Sequence, residues 1–316
     1  MEGPTVSLPP SRLVRTLTFW LRPAFALRVV NRFQRIVGFD RSTALASSAF
    51  TALIPLALLV TSILGRSRDL AGQIISRYGL TGGGADAVRA LFSVTSGQDS
   101  GLSVFGSLFL LVSALSFARA AQRLFEQSWE LTPLSVRNTA NGLIWLLALA
   151  AYAITAGLLH SLLDGGRLGL AAAACQLPLT AVFLVWSGWM LTARRVARRD
   201  LIPFAVLAAL LSALYSLAAG RYLPRLFDSY ATRYGTLGAV FALITALFGA
   251  MLTVVGSCAV GREVHDELDR IAQGQVPPED EIRQEWTNVV DQARQRWQTA
   301  RSELTRRRQA HGGDPR

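Results

Sequence analysis

Six long apolar stretches divide this chain, at 42–64, 101–118, 140–163, 169–193, 201–219 and 236–260. Each holds about 18–25 residues with almost no charge, enough at ~1.5 Å per residue to cross a hydrocarbon core ~30 Å thick. A backbone in lipid must satisfy its own hydrogen bonds, so these stretches are expected to be helices. The predicted fold class is all-α. It is a polytopic membrane protein with six transmembrane helices, a short outer helical hairpin and amphipathic cytoplasmic helices at its ends. The expected organisation is a cytoplasmic arm over 1–41, a membrane domain over 42–260 and a cytoplasmic helical tail over 261–316 whose end is disordered.

The segments between the stretches have their own patterns. Residues 11–37 recur as an amphipathic helix, with Leu13, Leu17, Trp20, Ala24 and Leu27 on one side and arginines at other positions. Such a helix either lies in the cytoplasmic membrane interface or packs on the membrane domain. Residues 66–100 predict the outer hairpin, because Thr81-Gly82-Gly83-Gly84 interrupts two helical patterns. The second stretch should continue as helix to Thr132-Pro133, with Arg119, Arg123 and Glu126 on one stripe. Asp164-Gly165-Gly166-Arg167 is expected to turn the chain on the outer side. Residues 220–238 read as an unusual outer segment between spans, with three Arg, three Tyr and one Asp. In the tail, Ile282, Trp286, Val290, Ala293, Trp297, Ala300 and Leu304 approach heptad spacing.

Charge fixes the expected orientation. All 32 basic residues are Arg and the net charge is +11. The N-terminal arm, the 119–139 and 194–200 loops and the tail hold 24 of them, against eight in the segments between. Positive residues in short loops favour the cytoplasm, so both termini are expected there, in a bacterial plasma membrane. The basicity then serves topology and contact with anionic lipid rather than nucleic acid. Pro4, Pro9 and Pro10 interrupt any signal-peptide pattern. Cys175 and Cys258 both fall inside spans, with no His or Cys at ligand spacing, so neither a disulfide nor a metal is expected.

Candidate chemistry is sparse. Ser47, Ser48 and Thr51 give the first span a polar face that either packs against helices or lines a cavity. Arg221, Arg225 and Asp228, with Tyr230, Tyr234 and Gly235, form either an interfacial girdle or a substrate site for an anion at the outer mouth. Arg119, Arg123 and Glu126 are candidates to brace the inner end. The three His are scattered, and Glu263, His265, Asp266, Glu267 and Asp269 spread around a helix, so no catalytic residue and no cofactor is expected. No phosphate-binding GxxxxGK[ST] motif occurs.

Phe39-Asp40 before an Ala/Ser-rich span, Trp129 after the second helix, Tyr222-Leu223, and Tyr230 followed by Tyr234-Gly235-Thr236-Leu237-Gly238-Ala239 together resemble the YihY/BrkB family. That family also carries the old label ribonuclease BN. The resemblance runs from about Arg35 to Glu263. It departs at Ala246-Leu247-Phe248, where the family pattern has Trp-x-Tyr, and at Gly256-Ser257-Cys258, where it ends in Gly-Ala-Glu. Pro203-Phe204 stands for the family's Pro-Gly, and Glu126 for an Asn. A mechanism built on the family's intramembrane Glu therefore does not transfer. The resemblance implies six helical spans and transport of lipids or small solutes, or a part in envelope integrity. Combined with the residues, the expectation is a non-enzymatic transporter or translocator of lipid or a small anionic solute. A membrane scaffold is the alternative. Expected partners are membrane lipids, and a second copy or a cytoplasmic protein at the C-terminal helix.

Overall fold

The computed structural model of the chain describes residues 23–64, 104–134, 139–163, 169–234 and 236–273, with isolated helical residues between 72 and 89 and between 283 and 298. Residues 11–22, most of the expected hairpin, the 164–168 turn, Gly235 and the end of the tail lie outside the described residues. All described elements are helices: α1 Pro23–Arg35, α2 Gly38–Leu64, α3 Val104–Ser128, α4 Thr139–Leu163, α5 Gly169–Leu191, α6 Arg198–Tyr234 and α7 Thr236–Ala272. The described residues of the six apolar stretches lie in α2 to α7, except Thr192 and Ala193. Among the described residues, three helices are long and apolar enough to cross a membrane: Thr139–Leu159, Arg198–Tyr234 and Val240–Ala272. Cys175–Leu191 is a shorter apolar helix.

Two helices continue past the ends of their apolar stretches. Residues 220–234, read as a segment between spans, continue α6, and α7 runs past Val260 to Ala272. Each of these helices has 37 residues, about 55 Å long and so well beyond a ~30 Å hydrocarbon core. On α6 the exposed apolar residues Ile202, Val206, Leu210, Leu214 and Leu217 recur at helical spacing. Arg198 and Arg199 precede this stripe, and Arg221 and Tyr222 follow it. The rise from Arg198 to Arg221 is about 35 Å, enough to cross a ~30 Å hydrocarbon core. A helix needs no change of fold to leave the membrane, because its hydrogen bonds are internal.

The chain forms two compact units, Ile36–Arg262 and a second composed of Met1–Arg35 with Glu263–Arg316. In the larger unit, α2 packs on α3, α3 on α4, α4 on α5 and α5 on α6. Phe204 is fully buried and meets Phe125 and Trp129 edge-on, with ring centroids 5.3 and 5.9 Å apart. Gly261 of α7 closes this core. A Cβ there would lie 2.3 Å from the Phe204 Cα, so only Gly lets the two backbones approach this closely. Farther along the same pair, Tyr215 lies against Gly249 and donates its hydroxyl to the Ala246 carbonyl at 2.6 Å. Beyond it Leu223, Leu226, Phe227 and Ala242 form a cluster that takes in Ile75 and Ala85. The expected hairpin segment thus contributes helical residues that pack against the ends of α6 and α7.

In the smaller unit, α1 turns Ala24, Arg28 and Asn31 inward. Arg28 bridges Glu263 and Glu267, each at 2.7 Å. Arg32 bridges Glu263 at 3.0 Å and Asp266 at 2.6 Å, and Arg270 reaches Glu267 at 3.2 Å. The described part of the amphipathic arm packs against the last turns of α7, within this same unit. Glu263, Asp266 and Glu267 of the acidic run after Val260 are matched by arginines, and Asp269 lies 3.5 Å from His265 Nε2.

A candidate anion cleft at the end of α3

α3 ends by a backbone device rather than by its proline. Glu130 takes φ 52°, and Leu131 N–H reaches the Glu126 carbonyl at 2.7 Å while Glu130 N–H reaches that of Gln127 at 3.2 Å. This pair of bonds satisfies orphan carbonyls and reverses the chain. The helix therefore stops at Ser128, four residues short of the expected Thr132. α5 stops in the same way, with Ala193 at φ 52° and Arg194 N–H bonded to the Trp189 carbonyl at 2.8 Å.

Arg195 joins the two ends. Its Nε donates to the Thr192 carbonyl at 3.0 Å and its Nη1 to the Thr132 carbonyl at 2.7 Å. Its Nη2 lies 3.3 Å from Glu126 Oε1. That same oxygen accepts Gln122 Nε2 at 2.8 Å and the Leu134 N–H at 3.0 Å. Glu126 is only 3% exposed, and a buried carboxylate needs such donors and a matching cation. The cation paired with Glu126 is Arg195, not Arg119 or Arg123. The helix spacing placed Arg119, Arg123 and Glu126 on one side, and that holds, since all three line one cleft.

The cleft has a volume of about 130 Å³ and lies between the end of α3, the Pro133-Leu134 turn and the start of α4 at Thr139. Leu115, Ala118 and Gly142 form its apolar wall. α3 and α4 come close there because a Cβ on Gly142 would sit 3.4 Å from the Ala118 Cβ. Arg119 and Arg123 are exposed at its rim. With the Glu126 charge matched by Arg195, these two guanidiniums leave the cleft positive. A guanidinium presents donors in a plane that fit phosphate or carboxylate oxygens.

The outer candidates are arranged differently. Arg221, Arg225 and Asp228 are exposed at helical spacing on α6, and Arg221 Nη1 reaches the carbonyl of Leu217 on its own helix at 3.4 Å. Tyr230 is half-buried against the Leu223–Phe227 cluster, and its ring meets that of the exposed Tyr234 edge-on at 6.4 Å. Ser48 donates to the Ala44 carbonyl at 2.7 Å and Thr51 to that of Ser48 at 3.0 Å, while Ser47 is exposed. Among the described residues, no hydrogen bond or ion pair joins Ser47, Ser48 or Thr51 to the arginines of α6. Sequence spacing did not reveal Arg195 or Gln122 as partners of Glu126. The available signal was that the 119–139 and 194–200 segments were both expected on one side of the membrane.

The sequence profile of the family described as virulence factor BrkB matches residues 29–281. Two UPF0761 membrane proteins from two strains of Stenotrophomonas maltophilia are each 27% identical to this chain over 268 residues. Those alignments cover 76% of this chain and 62% of each relative, so the chain spans less than two thirds of their length. No solved structure matches this chain. The profile match over most of the chain, on an all-helical fold with membrane-length apolar helices, places this membrane protein in the virulence factor BrkB family.

Proposed function

We propose that this protein moves or accommodates a lipid or a small anionic solute in the bacterial cytoplasmic membrane, with both termini in the cytoplasm. The observation that carries this reading is the cleft with Arg119 and Arg123 at its rim and an apolar wall of Leu115, Ala118 and Gly142. A cationic rim beside an apolar wall suits a molecule with an anionic head and a hydrocarbon part, or a small oxyanion. In this reading, Arg221, Arg225 and Asp228 serve the outer end of the path, and Ser47, Ser48 and Thr51 its lining. The protein acts without its own catalytic residues. The buried carboxylates Glu263 and Glu267, with Asp266, are engaged by Arg28, Arg32 and Arg270, an arrangement that suits structure better than metal-assisted hydrolysis. A scaffold role is the second reading, favoured by Trp286, which is 59% exposed in the charged tail.

Reconstitution tests the first reading. Purified full-length protein in proteoliposomes is expected to speed the exchange of labelled anionic phospholipid, or the uptake of a small organic phosphate, above empty liposomes. Absence of both activities at verified incorporation rejects it in favour of the scaffold.

A further inference from the structure

A second basic site lies in the segment that carries Arg195. Arg194 and Arg198 both place their guanidiniums over the Trp189 ring, with Cζ 4.8 and 4.1 Å from its centroid. Both arginines are exposed, while the indole is half-buried. Two neighbouring cations repel, and the face of one indole offsets part of that cost for both. Stacking also uses only the face of a guanidinium. Its N–H donors remain in the plane, free to meet an oxyanion.

The position of this pair restricts what it meets. Arg198 begins α6, and the exposed stripe Ile202, Val206, Leu210 and Leu214 starts one turn later and runs along the helix. A cationic clamp therefore continues into an apolar track about 18 Å long, on the order of one leaflet of a bilayer. Trp is favoured at this level of a bilayer because its ring is apolar and its N–H polar. From these observations we infer that Arg194 and Arg198, held on Trp189, bind the phosphodiester of an anionic phospholipid whose acyl chains lie along Ile202, Val206 and Leu210. The site is separate from the Arg119–Arg123 cleft and does not require that the protein transport anything.

Native mass spectrometry of the full-length protein, with phosphatidylglycerol or phosphatidylcholine of identical acyl chains, tests this. Both lipids carry the phosphodiester, but choline neutralises that of phosphatidylcholine and repels the arginines, so phosphatidylglycerol is expected to be retained about tenfold better. R194Q/R198Q is expected to bring the two lipids near equality, and R221Q at the other end of α6 to leave the preference intact. W189L keeps both charges but removes their platform, and is expected to lower the preference severalfold at unchanged melting temperature. The two single variants R194Q and R198Q supply the same comparison should the double variant fail to fold. Undiminished preference in all the arginine variants, or an equal loss in R221Q, overturns the site. Displacement of the lipid by tens of millimolar inorganic phosphate overturns the lipid assignment in favour of a free anion.

Discussion

Arg195 and Glu126, 69 residues apart in sequence, form the ion pair that ties the end of α3 to the turn after α5, at 3.3 Å. Both helices reverse at residues with positive φ, and the pair fixes the two reversals against each other. The carboxylate is buried and the guanidinium partly exposed. Its stability therefore depends on mutual satisfaction rather than on long-range charge.

Breaking this pair should be costly and non-additive. E126Q and R195Q are each expected to destabilise by about 1–3 kcal/mol, since each leaves a buried polar group short of a partner. In a double-mutant cycle the coupling should reach about 1–2 kcal/mol. Thermal unfolding in detergent reads both, and additive effects would show that the contact contributes little.

Close approach of α6 and α7 makes Gly261 the least replaceable glycine described. G261A sets a Cβ against the Cα and N of Phe204, at 2.3 and 2.6 Å, atoms that no rotamer change can move. A loss of about 3 kcal/mol or more is expected, with poor recovery of folded protein. G256A on the same helix meets nothing within 4 Å and should be neutral or stabilising by up to ~1 kcal/mol. Equal melting temperatures for the two variants would contradict the packing described.

In the smaller unit, R28M removes the cation shared by Glu263 and Glu267, whose side chains are 3% and 0% exposed. Loss of one partner from a buried ion pair costs about 3–5 kcal/mol, and the lower figure applies because Arg32 and Arg270 remain. Hydrogen exchange should show α1 losing protection while α4 keeps it. Unchanged protection in α1 would mean that its packing does not rest on Arg28.

For the proposed transport, R119Q/R123Q is expected to slow movement of an anionic substrate about tenfold or more, from the loss of two charge-assisted contacts. R221Q/R225Q should have a smaller effect, because those side chains stand exposed on α6 rather than around a cleft. Rates for a zwitterionic lipid provide the comparison. A larger effect of the outer pair would move the principal site to the outer mouth.

Much of this architecture follows from one-dimensional patterns. Stretches of about 20 apolar residues specify helices because lipid offers the backbone no other partner, and their described residues are helical but for Thr192 and Ala193. The side shared by Arg119, Arg123 and Glu126 follows from helical spacing, and all three line one cleft. Helix ends were less legible. α6 and α7 run on through charged sequence because polar residues do not break a helix, and α3 stops at a non-glycine residue in the left-handed region, which composition does not announce.

The sequence by itself determined that this is an all-helical membrane protein, where its apolar helices lie, and the family to which it belongs. Tertiary structure alone decided that Glu126 meets Arg195, that Gly261 meets Phe204, and that Arg28 meets Glu263 and Glu267. The reason is physical. A helix that is apolar all round carries no record of which face meets lipid and which meets protein, since lipid and core are equally apolar. Partner choice then rests on small residues and on a few polar groups. Those groups reveal their partners only when distant helices are placed side by side.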